Sequence, residues 1–202
     1  MLTFADIWST LQYDAPVFYF DNCSKNSPHM DFFGKDEQQA LNNGTYDPTH
    51  EYDHSTVGVY LPDSDIFDYY CNCPDADKER HIKLMEDVSG NKDPVTNLAV
   101  YTVLHEYGHW YAWKKSGLSA FDYYSQSIDA KMKHDEAVKQ YEESSGRIGS
   151  QAEISELYRK IPMESQAEAF VKDNAKNAME LVQKYNRNMK DFYKNIIHIG
   201  SI

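Results

Sequence analysis

Between Asp93 and Gly117 the chain reads DPVTNLAVYTVLHEYGHWYAWKKSG, and this stretch restricts the fold more than any other. Asp93 suits a helix N-cap, and Pro94 suits the first helical position, where its missing N–H costs nothing. From Val95 to Lys115 only Gly108 weakens a helix, and Gly117 supplies the stop. Apolar side chains occupy nearly every face of that helix, which predicts a central, buried element. Yet it carries His105, Glu106 and His109. Burying two imidazoles and a carboxylate is costly unless a metal or hydrogen-bond partners satisfy them. Gly108 costs roughly 1 kcal/mol in a helix interior, which points to another element approaching closely there.

His105-Glu106-Tyr107-Gly108-His109 fits the pattern H-E-x-x-H, and so does His50-Glu51-Tyr52-Asp53-His54. Two histidines four residues apart can share one cation on a helix, where they stand about 5–6 Å apart on one face. The first pattern lies mid-helix. The second follows Pro48, precedes a β-branched run at 56–61 and carries a charge at Asp53, so it reads as polar loop. Such a loop can still border a cleft and lend His50 or His54 to substrate binding. His105 and His109 are therefore the candidate metal ligands, with Glu106 the candidate base. A structural histidine pair satisfied by hydrogen bonds is the alternative.

The remaining sequence predicts an α+β, mostly helical chain forming a single domain over residues 1–202. Phe4, Ile7, Trp8 and Leu11 share one face of a short helix at 3–12. Strands are expected at 15–20 and 56–61, the second stopped by Pro62. Between them lies mostly loop, with a short helix near 36–42. Further helices are expected at 77–87, 119–144 and 150–160, with a break at Glu143-Ser144-Ser145-Gly146. Pro162 opens a last long helix running to about 196, with an interruption near Asn186.

Charge is uneven. Residues 1–93 hold 18 Asp and Glu against 6 Lys and Arg, whereas residues 94–202 hold 14 of each. An acidic half repels phosphate backbones, so no nucleic acid is expected as a partner. No apolar run reaches 18 residues and the N-terminus lacks a basic region before an apolar core, so neither a membrane span nor a signal peptide is read. Cys23, Cys71 and Cys73 make an odd count, and Cys71-Asn72-Cys73 is too tight for an ordinary disulfide. Free thiols in a reducing compartment, and hence a cytoplasmic location, are the expectation.

A hydrolytic zinc site needs three protein ligands and one open position. The metzincin spacing would place Gly three residues and His six residues after the second histidine; Ala112 and Lys115 stand there instead. A glutamate on a later helix is the remaining common source. Ile161 to Val171 reads IPMESQAEAFV, in which Glu164, Ala167, Glu168 and Phe170 look like the glutamate helix of the gluzincins, roughly E-x-x-A-[DEN]-x-F. Together with HEYGH this resembles the ImmA/IrrE-type family of compact zinc peptidases. The likeness covers roughly residues 40–175 and is specific at 104–109 and 162–170. It implies a zincin-like fold: a small N-terminal sheet, a central H-E-x-x-H helix and a C-terminal glutamate helix. The stretches Asn43-Gly44-Thr45-Tyr46 and Val57-Gly58-Val59-Tyr60 stand where that sheet would be. The separation of His109 from Glu164 exceeds that of the compact members, and an inserted helix at 119–144 accounts for it.

The resemblance implies that His105, His109 and Glu164 hold Zn²⁺ while Glu106 acts as base on a specific protein, often a repressor-like regulator. Glu164 and Glu168 are four apart, so both can face one site. Glu168 either hydrogen-bonds a ligating imidazole or is itself the third ligand. Tyr124, Tyr141 and Tyr158 are candidate oxyanion donors, and the strand at 56–61 a candidate edge for an extended substrate. The expected function is a zinc-dependent intracellular metallopeptidase acting on a protein or peptide. The competing reading is a catalytically silent zincin scaffold that binds a partner through its acidic half. A third is a metal hydrolase of non-peptide bonds.

Overall fold

The computed structural model describes residues 2–21, 26–73 and 77–199, with side chains to Asp191. A short helix, α1 (Phe4–Leu11), leads into β1 (Val17–Phe20) and β2 (His29–Asp31). Helix α2 (Lys35–Asn43), strand β3 (Gly58–Pro62) and helices α3 (Ile66–Asn72) and α4 (Lys78–Ser89) complete the first half. The second half is helical: α5 (Pro94–Ser116), α6 (Ala120–Ser125), α7 (Ile128–Glu143), α8 (Gln151–Arg159) and α9 (Pro162–Ile199). The molecule is thus mostly helical with one small sheet.

Helix α5 is the axis. Asp93 caps it by accepting from Val95 N, and Gly117 ends it in the left-handed region at φ 69°. Every residue from Thr96 to His109 is buried, because α9, α4, α3, α1 and the sheet surround it. Helix α9 makes the most extensive of these contacts and explains Gly108. A Cβ at that position would stand 3.0 Å from Ala167 Cα, 3.1 Å from the Ala167 carbonyl oxygen and 3.1 Å from Phe170 Cβ. Only hydrogen lets the two backbones approach so closely.

The sheet order is β1-β3-β2, with β1 parallel and β2 antiparallel to β3. Val57, Val59 and Leu61 are buried, so β3 is the inner strand of the layer that α5 covers. This overturns the expectation that the strand at 56–61 offers its edge to a substrate: β1 and β2 occupy both of its sides. Among the described residues, β1 and β2 are the outer strands of the sheet. Of the two stretches compared with the family's sheet, Val57–Tyr60 feeds β3, while Asn43–Tyr46 is the end of α2 and the loop after it.

Further differences from the expected elements concern the helices and one short strand. The expected helix at 119–144 is two helices, because Ser127 is taken from the helical face to serve another element. It is 2% exposed and its Oγ accepts from Met163 N in the first turn of α9. The last helix runs through Asn186 unbroken. Strand β2 and helix α3 were not expected. Met30 is the one buried residue of β2, too little for an alternating pattern. Asp65 caps α3 through Phe67 N and Asp68 N, a signal present in the sequence. Cys71 and Cys73 are free, and Cys23 lies outside the described residues. No helix among the described residues is long and apolar enough to cross a membrane.

Candidate metal centre

His105 and His109 leave α5 on one face, one turn apart, with ring centroids 4.8 Å apart. The first turn of α9 brings Glu164 to them, its position fixed by the Ser127–Met163 hydrogen bond beneath it. Glu164 Oε2 stands 3.1 Å from His105 Nε2 and 3.5 Å from His109 Nε2. All three donor atoms lie within 4.8 Å of one another. Atoms about 2 Å from a tetrahedral centre sit about 3.3 Å apart, so the two Glu164 distances suit edges of one coordination shell. The three residues form a group able to hold a metal ion, with two imidazole nitrogens and a carboxylate oxygen as donors.

Burial opposes ionisation of Glu164, but the two imidazoles outweigh it and hold the carboxyl far below its ordinary range. Glu106 behaves oppositely. Burial pushes its carboxyl up to about 7, with Glu164 adding to the effect while His105 and His29 pull back. Two carboxylates one helix face apart therefore have opposed tendencies: one stays charged, the other is ready to exchange a proton near neutrality.

Tyr107, inside the motif, points the other way. Its ring stacks on Tyr13 at 3.7 Å and its hydroxyl donates to Asp14 Oδ1 at 2.7 Å. It ties α5 to the chain between α1 and β1, so this motif position serves packing.

A cleft of about 340 Å³ opens over the site. Its floor is the α5 face with Tyr101, His105 and Glu106; α4 supplies one wall through Arg80 and His81, and α8 the other through Ser155 and Tyr158. Residues 26–28, leading into β2, border it. Of the three tyrosine candidates, Tyr158 is the one that reaches the cleft. Although the residue as a whole is 38% exposed, its hydroxyl is set against Glu164. Burial of that hydroxyl, with the charge of Glu164, pushes the phenol well above its ordinary value, so it keeps its proton. Tyr124 instead packs edge-on against Phe33, and Tyr141 lies under Gly146.

Glu168 lines the cleft but is engaged elsewhere. Arg80 Nη1 donates to it at 2.7 Å and Lys172 pairs with it at 2.7 Å. Among the described residues its partners are Arg80 and Lys172, and it makes no bond to either imidazole of the motif, contrary to one expectation for it. The second H-E-x-x-H stretch has no helix. His54 pairs with Glu37 of α2 at 3.2 Å, His50 packs edge-on against Tyr52, and neither lines the cleft.

Sequence reasoning missed Tyr101, His81 and Arg80. Tyr101 stands four residues before His105 and so shares its face, a spacing legible in advance. Nothing local in the sequence links α4 to the site. Comparison of the chain with protein-family models, curated proteins and solved structures found no match.

Proposed function

We propose that the protein is a zinc-dependent peptidase that hydrolyses a peptide bond in a specific protein substrate. One observation carries this reading: Glu164 meets both imidazoles of the H-E-x-x-H pair at the base of a cleft that also contains Glu106. A purely structural metal site has no use for that second carboxylate. Zinc held by His105, His109 and Glu164 would polarise a carbonyl and acidify a water. Glu106 accepts the proton released as the scissile carbonyl is attacked and returns it to the leaving amine. Tyr158, a protonated phenol beside Glu164, donates to the developing oxyanion.

An extended substrate segment adds to the outer edge of β2. That strand is antiparallel to β3, and residues 26–28 ahead of it border the cleft. The resemblance to the ImmA/IrrE-type peptidases supports a regulatory protein as substrate. A cleft of about 340 Å³ suits one extended strand and not a folded surface.

Metal analysis and cleavage of a peptide library by the wild type, His105→Ala and Glu106→Gln test the reading. The wild type is expected to contain zinc and to cleave, and His105→Ala to lose both. Glu106→Gln is expected to keep its zinc and lose about a hundredfold or more in rate. A Glu106→Gln variant that cleaves like the wild type would refute the catalytic role.

A further inference from the structure

The two candidate ligand rings are not held alike. His109 Nδ1 is buried with no hydrogen-bond partner, so no polar group holds that imidazole from behind. His105 Nδ1 faces the Tyr101 hydroxyl at 3.5 Å, at the outer limit of a hydrogen bond. Tyr101 is 4% exposed and lies one turn earlier on the same helix, so its position relative to His105 is set by α5 itself.

Tyr101 is in turn clamped. The His81 ring stacks on it with centroids 3.9 Å apart and planes 13° apart, and the His105 ring lies 5.5 Å away at 17°. Three rings from α4 and α5 thus form one near-parallel pile. Its outer member is fixed by Arg80, whose Nη2 lies 2.8 Å from His81 Nε2. A guanidinium only donates, so that nitrogen is the acceptor. The same Arg80 reaches Glu168 at 2.7 Å.

From this geometry we infer that Tyr101 is the positioning residue of the metal centre, backed by a relay running from Glu168 through Arg80 and His81. The inference rests on the metal-site reading above. When a cation takes Nε2 of His105, Nδ1 carries the proton and needs an acceptor; the Tyr101 oxygen is the group in place. Such a bond fixes the tautomer and the ring plane together. Glu168 then acts on the ligand at a distance of three side chains. An aromatic pile takes the place of the carboxylate that the sequence suggested.

The test is zinc affinity, read by competition with a chromophoric chelator, together with the visible spectrum of the cobalt-substituted protein. Tyr101→Phe keeps the ring and removes the oxygen. It is expected to bind zinc roughly tenfold or more weakly, with an altered cobalt spectrum and an unchanged melting temperature for the metal-free protein. Arg80→Met, at a partly exposed position, is expected to weaken zinc in the same direction by less. Wild-type affinity in Tyr101→Phe overturns the inference and leaves the metal site standing. Should Tyr101→Phe fail to fold, unchanged affinity in Arg80→Met overturns the relay. A wild type that takes up no zinc removes the metal site itself, and with it the inference.

Discussion

At the scale of single residues, Gly108 shapes the candidate site as well as the histidines beside it do, because it sets how closely α9 can approach. Helix propensity alone favours alanine there by roughly 1 kcal/mol. Against that gain stand three contacts at 3.0–3.1 Å, two of them with the backbone of Ala167, which cannot rotate away. Overpacking of this kind costs about 1–3 kcal/mol. Gly108→Ala is therefore expected to lose up to about 2 kcal/mol in chemical denaturation, and to weaken metal binding because α9 carries Glu164. A variant more stable than the wild type would show that α9 yields easily at this crossing. The residue was legible in the sequence: a glycine amid unbroken helix formers has to serve an approach. Which element approaches was not, since nothing near position 108 names Ala167 or Phe170.

Among the elements, α5 and α9 were readable because their limits are written locally, in Asp93-Pro94, Gly117 and Pro162. Strand β2 was not, being three residues long and defined by its pairing to β3. The division of α6 from α7 was hidden for the same reason: the hydroxyl of Ser127 belongs to α9, and that bond is non-local. The α7–α8 pair also differs in how it is held, for neither helix carries a fully buried side chain. Among the described residues, polar contacts tie α8 to the start of α4. Asp77 accepts from Ser155 Oγ at 3.0 Å and pairs with Arg159 at 3.7 Å. A hydrogen bond to a charged group contributes about 1.5–3 kcal/mol, a large share of what holds so lightly buried a unit. Asp77→Ala is expected to raise amide exchange in α7 and α8 by about tenfold or more while leaving α5 unchanged. Equal exchange in both proteins would mean that packing, and not Asp77, fixes the cleft wall.

Taken as a whole molecule, the fold is an arrangement for crossing two helices at a glycine. That crossing brings a carboxylate of the C-terminal half onto two imidazoles 55 and 59 positions earlier in the chain. Local patterns identified the three residues one by one, because each sits in a short motif with its own spacing. The walls of the cleft were illegible, since α4 and α8 come from separate stretches with no motif in common. The same holds for the choice between Glu164 and Glu168. Both lie on the cleft side of α9, and only the neighbours Arg80 and Lys172 draw the second one away. Isothermal titration of the metal-free protein with zinc tests that convergence most directly. One zinc per chain is predicted for the wild type and for Glu168→Gln, with Glu164→Gln weaker by about a hundredfold or more. Unchanged binding in Glu164→Gln, or its loss in Glu168→Gln alone, would contradict the account.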